Sequence, residues 1–410
     1  MKKRRACEIV LLIGIACVMI FYRFNRIPQN LDYDEVDFAK LALSLDHSRY
    51  SPFSPLATGH ATLYFYILLF SFKLGGVSNF TLRFPSAIFG VVNIIIFYLI
   101  MQYVNKKTAF FSTFIFATLR WYFTFARFSY EATFLLFLEL CAVYFLIRFM
   151  KNQKTCDMFA LSFFSGLAFN SYTSGRIFFV VPLIILGIGC MRQHIKKIKS
   201  MLLALAIFFL TILPLFSYVL THKDSRFDTQ FFFKSPRYTV NQKIRFFTDG
   251  IVSTVLMFHV HGDVNGRHNY PGKPALNPVL GLLFVLGFLG AIIRWKNRYN
   301  QLFLIYFFTA LFPTLLTYPH ENPHMLRTFG VIPSVIYFSV AGFELIISRL
   351  KMLHIPYQRC AMMILTVYIL FLSSFSEIKT YFIYQRIVVT EAFKIGGEIK
   401  QILKSDIDRL

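Results

Sequence analysis

The chain alternates apolar runs with short connections, and every second connection is basic. An apolar run of about 17–25 residues is the length that crosses a bilayer core as a helix. Candidate spans follow at 7–24, 84–103, 108–121, 131–149, 158–173, 177–191, 200–220, 278–293, 299–317, 326–347 and 360–376. The connections "KKRR" (2–5), "NKK" (105–107), "RFMKNQK" (148–154), "RQHIKKIK" (192–199), "RWKNR" (294–298) and "RLKMLHIPYQR" (349–359) each carry at least two Lys or Arg. Short cytoplasmic loops collect such residues. The pattern predicts an all-α polytopic membrane protein of about eleven spans, N-terminus cytoplasmic and C-terminus outside, in the plasma (inner) membrane.

Composition excludes other classes. A mean hydropathy of +0.56 with 51 Phe in 410 residues is too apolar for a soluble domain. The net charge of +23 is scattered between spans, so it reflects topology and anionic lipid, and no nucleic acid is expected as a partner. "MKKRR" before "EIVLLIGIACVMIFYRF" resembles a signal peptide, but no small-residue cleavage site follows, so an uncleaved first helix is expected. Cys7, Cys17, Cys141, Cys156, Cys190 and Cys360 have no ligand spacing. Neither disulfides nor a cysteine metal site are expected.

Residues 1–376 then form one transmembrane module, and 377–410 a short amphipathic tail outside. Within the module, 25–83 is a first outer loop. Its stretch "ATLYFYILLFSF" (61–72) is only twelve residues long before Lys73. Counting it as a span would turn every later basic loop outward, so it is expected to lie on the outer surface. "EVDFAKLALSL" (35–45) sets Phe38, Leu41, Ala42 and Leu45 at helical spacing, which predicts a second interfacial helix. A second outer loop, 221–277, holds eight Lys or Arg against four Asp.

The short outer connections contain no Lys, yet Arg83, Arg120, Arg127, Arg176 and Arg327 lie at the outer helix ends. Arginine is a planar fork suited to phosphate. It also snorkels to lipid headgroups. Five on one side favour a site for an anionic group. Glu131 stands four residues after Arg127, either as a plain ion pair or as a holder of that arginine for a ligand. Outer-face histidines are His60, His259, His261, His268, His320 and His324. "HVH" and "HENPH" lack a zinc-helix spacing, so no metal is expected, and His60, His320 and His324 read as supporting polar groups.

"LDYDEVDF" (31–38) gathers Asp32, Asp34, Glu35 and Asp37 in this basic chain. Asp34 is either a helix cap, with Asp37 imitating a capping box, or a general base. Adjacent helical residues point about 100° apart, so Asp34 and Glu35 have different tasks: one faces a substrate, the other holds a partner such as an arginine. Asp32 precedes the helix and is expected to be solvated.

The Asp-Glu pair after span one, "LRFPSAIFG" (82–90), "FARFSYEA" (125–132) and "HMLRTFGVIP" (324–333), in this order, resemble the GT-C glycosyltransferases, in particular the group holding the protein O-mannosyltransferases and the lipid A aminoarabinose transferase. The resemblance is clearest over 31–190. It implies a polyprenyl-phosphate sugar donor used at the outer face, no cofactor, and an acceptor that is a lipid, glycan or protein. By position, Asp34 matches the catalytic Asp and Glu35 its neighbour. Arg83 matches the arginine opening span two, and Arg127 with Glu131 the arginine–acid pair. Arg83, Arg127, Arg176 and Arg327 are then expected at the donor phosphate. The family often has a Pro-Pro pair where this chain has "GHATLY" (59–64), and some members carry a large soluble domain where this chain has its tail. The rival readings are a transporter or flippase of an anionic isoprenoid lipid, and a polymerase or ligase using a lipid pyrophosphate.

Overall fold

In the computed structural model, residues 2–46, 49–192, 198–222, 230–352 and 358–407 are described. Parts of the basic connections at 192–199 and 349–359, part of the second outer loop and the end of the tail fall outside them. The apolar runs become helices: α1 (Lys2–Phe21), α2 (Tyr33–Ser44), α3 (Leu63–Gly75), α4 (Asn79–Val104), α5 (Ala109–Thr118), α6 (Arg120–Phe125), α7 (Ala132–Asn152), α8 (Thr155–Phe169), α9 (Val180–Met191) and α10 (Ile198–Thr221). There follow α11 (Val240–Met257), α12 (Pro278–Ile293), α13 (Arg298–Leu315), α14 (Ile332–Met352), α15 (Gln358–Lys379), α16 (Arg386–Ala392) and α17 (Ile399–Ile407). A π-helical turn, Thr380–Gln385, joins α15 to α16. Among the described residues the only sheet is a hairpin of β1 (Phe53–Ser54) and β2 (His60–Ala61).

The protein is an all-α, multi-pass membrane protein. α10 exposes Leu202, Leu203, Phe209, Leu210, Leu213 and Leu220, an apolar face suited to lipid. Six helices among the described residues are long and apolar enough to cross a bilayer, seven if α12 and α13, bent by 117°, count as one. α3, α5 and α8 are apolar but shorter. The eleven crossings predicted from the apolar runs are therefore not given by helix length alone. α12 and α14 touch through Gly287 and Gly342. A Cβ on Gly287 would lie 1.8 Å from the Phe338 carbonyl oxygen, so only glycine permits this approach. Glu139 and Glu344 find partners on other elements, Tyr306 Oη at 2.6 Å and Asn105 Nδ2 at 2.6 Å.

Three local devices shape the end that carries the carboxylates. α4 begins at Ser78, whose hydroxyl caps the Thr81 amide. Pro85 cannot donate to the Thr81 carbonyl four residues back, and Ser71 Oγ on α3 takes that acceptor at 2.7 Å. The expected surface helix 61–72 is thereby fastened to α4, with Tyr64, Phe65, Leu68 and Phe72 buried. The tail also packs inward: Leu31 and Ile395 exchange backbone bonds, Glu398 accepts from the Asn79 amide, and Phe393 is buried against Phe128.

Candidate active site

α2 starts with a capping box. Asp32 is the N-cap, accepting from the Tyr33 amide at 2.8 Å, and Glu35 at the third helical position accepts from the Asp32 amide at 3.3 Å. The expectation that Asp32 is solvated is corrected. It is 2% exposed, and its other oxygen takes Tyr130 Oη at 3.2 Å and an ion pair from Arg267 Nη1. Burial pushes the Asp32 carboxyl up and Arg267 works against that push. The cap is Asp32, so Asp34 is free of that duty.

Glu35 turns inward and meets Arg83. Arg83 Nε and Nη2 donate to the two Glu35 oxygens, and Nη1 and Nη2 also donate to the carbonyls of Pro28 and Asn30, both at 2.8 Å. Glu35 accepts in addition from the Ser129 amide at 3.1 Å. Arg127 is equally occupied. It donates to the carbonyls of Met19, Ile20, Tyr22 and Ile27, which closes the C-terminus of α1, and to Tyr381 Oη at 3.0 Å. Both arginines are fully buried. Both were expected at the donor phosphate; here their donors are spent on the protein, and neither lines the cleft described next. The Arg127–Glu131 pair is not formed either. Glu131 Oε1 lies 2.9 Å from His60 Nδ1, both side chains buried.

A polar cleft of about 170 Å³ opens beside these scaffolds. Asp34, His60, Glu131, Arg267, His268, His324 and Arg327 line it, with Tyr130 and Tyr172. Asp34 is the half-exposed carboxylate, its side chain 48% accessible, and Arg267 Nη1 donates to its Oδ2 at 2.9 Å. Burial opposes the charge on Arg267, but Tyr130, Asp32 and Asp34 outweigh it and hold the guanidinium above its ordinary range. His60 reaches the cleft because β2 sets it opposite Ser54, across a tip whose Ala57, Thr58 and Gly59 have positive φ. Arg327 ion-pairs with Glu321. Burial, His268, Arg327 and Arg267 hold His324 well below the usual imidazole range, so it is neutral. Every lining segment comes from an expected outer connection or outer helix end. Arg176, on a 3₁₀ turn, and His320, with a 75% exposed side chain, do not line the cleft.

Arg267 comes from the second outer loop, folded by its own polar groups. The Asp263 side chain accepts from the Asn265 amide at 2.8 Å, and the Asn265 side chain from the Arg267 amide at 3.0 Å. Gly262 lies so near the Lys273 carbonyl that a Cβ would sit 2.0 Å from its oxygen. Buried Arg120, expected only as one more outer arginine, fastens this loop. It donates to Asn269 Oδ1 and the Pro274 carbonyl and pairs with Glu377 on α15 at 3.6 Å.

The family of dolichyl-phosphate-mannose-protein mannosyltransferases matches residues 59–218. ArnT from Cupriavidus metallidurans, solved bound to undecaprenyl phosphate, superposes with a TM-score of 0.58 at 13% identity over 94% of this chain and 76% of that one. The archaeal oligosaccharyltransferase AglB from Archaeoglobus fulgidus, solved with an inhibitory peptide and a dolichol phosphate, superposes at 0.54 with 14% identity, over 97% of this chain and 56% of that one. This chain has the GT-C glycosyltransferase fold. No curated protein matches the sequence significantly.

In this fold Asp263, His268 and His324 bring one ligand atom each within 4.8 Å of one another. They do not fit a cation well. Asp263 Oδ2 already takes His268 Nδ1 at 2.9 Å and the Met325 amide at 2.8 Å, His324 Nδ1 accepts from the Arg327 amide at 3.3 Å, and two guanidinium groups stand nearby. The set is better suited to orienting imidazoles around the GT-C cleft. Sequence reasoning missed Arg267, Asp263 and the role of His268. Their signal was the polar density of "HGDVNGRHNY" in an otherwise apolar chain.

Proposed function

We propose that this protein transfers a sugar from a polyprenyl-phosphate donor to a lipid, glycan or protein acceptor at the outer face of the membrane. The observation that carries this reading is Asp34: it is neither cap nor scaffold, and of the two carboxylates of α2 that line the cleft, Asp34 and Asp37, it is the one that meets Arg267 there. Asp34 Oδ takes the proton of the acceptor hydroxyl, and the acceptor oxygen bonds to the anomeric carbon. The bond from that carbon to the donor phosphate oxygen breaks, and its electron pair stays with the phosphate. Charge grows there as the sugar leaves, so preorganised cations supply most of the stabilisation. Arg267 and Arg327 are the cleft cations for this task, and His60 and His324 add hydrogen-bonding groups beside them. Arg267 Nη2 has no partner among the described residues. Phosphate is a good leaving group and needs no acid.

The test is mass spectrometry of isoprenoids and envelope glycans from cells with and without the gene. Loss of the gene should leave a sugar-charged isoprenoid phosphate accumulating and an acceptor lacking one sugar. A flippase would relocate the charged lipid without an intrinsic transfer step. Purified protein that moves no sugar from any polyprenyl phosphate to extracted acceptors would overturn the reading.

A further inference from the structure

A second polar concavity, of about 490 Å³, lies at the same end of α1 and shares no lining residue with the cleft. Arg23, Asn25, Arg26, Ile27, Gln29 and Arg386 line it. Arg23, Arg26 and Arg386 are exposed, and none is ion-paired among the described residues. Three like charges around one hollow repel one another unless an anion sits between them.

The hollow is constructed. The turn carrying Arg23 and Arg26 hangs on buried Arg127, which donates to the carbonyls of Tyr22, Arg23 and Ile27. Tyr381 Oη joins the same framework, donating to the Ile27 carbonyl at 3.4 Å and lying within hydrogen-bond reach of Arg127. Arg23 has φ of +52°, a left-handed backbone that a non-glycine residue adopts at a cost of order 1 kcal/mol or more. Arg386 follows directly on the π-helical turn, whose widened turn re-aims the residues after it. A solitary snorkelling arginine requires neither device. Beside the lining residues in sequence, Tyr22, Ile383 and Ile387 are 52%, 56% and 63% exposed, apolar surface suited to acyl chains.

We propose that Arg23, Arg26 and Arg386 form a second, non-catalytic site that holds the phosphate of an anionic phospholipid headgroup at the membrane surface. The arginine forks chelate the phosphate oxygens, Asn25 and Gln29 supply neutral hydrogen bonds, and the apolar surface beside them receives the chains.

The experiment is thermal melting of the full-length purified protein titrated with phosphatidylglycerol, phosphatidylcholine or inorganic phosphate. Phosphatidylglycerol should raise the melting temperature saturably, and the other two should not at equal concentration. R23Q/R26Q/R386Q should weaken the apparent phosphatidylglycerol affinity on the order of 10²-fold, roughly fivefold per arginine. R23K/R26K/R386K should fall between, because charge is retained and the fork is lost. Arg23 gives the Arg127 framework its carbonyl and not its side chain, and the three charges repel one another without a bound anion, so the lipid-free melting temperature should not fall. R26Q alone gives the same reading at roughly fivefold. A Gln variant that binds phosphatidylglycerol like wild type overturns the site. Displacement of the lipid by an equal concentration of inorganic phosphate overturns its assignment to a lipid headgroup.

Discussion

Arg83 offers Nε and Nη2 to the two carboxylate oxygens of Glu35, each at 2.7 Å, with neither side chain accessible to solvent. Removing one partner of such a buried pair costs about 3–5 kcal/mol, because the other charge is stranded. Lysine retains the charge but cannot span both oxygens and the carbonyls of Pro28 and Asn30. Arg83→Lys should therefore lower the yield and melting temperature of the purified protein. An inactive variant of normal stability would return Arg83 to the donor phosphate.

Asp34→Asn should abolish transfer with little change in stability, since Asp32 caps α2. A positioned general base is worth about 10²–10⁴ in rate. Purified Asp34→Asn that transfers sugar within about threefold of wild type would fall below that range and remove the base assignment. Asp32→Asn makes the contrast: Asn is itself a good cap, so the expected loss is partial and comes through Arg267.

Arg267→Lys should impair kcat more than folding. Arg267 bridges Asp32 and Asp34 from a loop, and lysine cannot hold both while presenting a second nitrogen to a ligand. A steady-state comparison should show lower kcat at similar protein yield. Unchanged kinetics would make Arg267 a bystander.

Chelation should have no effect. Asp263 is saturated by His268 and two amides, and Arg267 and Arg327 repel a cation from His324. Transfer rates after dialysis against EDTA should match those of the untreated protein. A loss restored by added zinc or manganese would establish a metal at Asp263, His268 and His324.

How much of this was legible depends on distance along the chain. Helices could be read because an apolar run reports its own burial. That Asp34 and Glu35 part company could be read from helical geometry, and Glu35 does hold an arginine. Burial of Asp32 could not, because Tyr130 and Arg267, 98 and 235 residues away, cover it. For Arg83 and Arg127 the residue type was clear and the partner was not. A guanidinium suits a phosphate or a cluster of carbonyls equally well, and only the end of α1 and the turn after it decide between them. Helix length leaves the span count open for a related reason: α3, α5 and α8 are apolar enough for a membrane but too short to decide their own path.

The end of α1 also sets a clock on assembly. Its open carbonyl at Ile20 waits for a guanidinium 107 residues further along. At roughly 5–20 residues per second of synthesis, the first helix spends on the order of 5–20 seconds with that end served by water, headgroups or insertion machinery. Docking of the α6–α7 corner is then the moment at which the turn above α1 acquires its shape, and with it the platform on which α2 and its carboxylates are later seated.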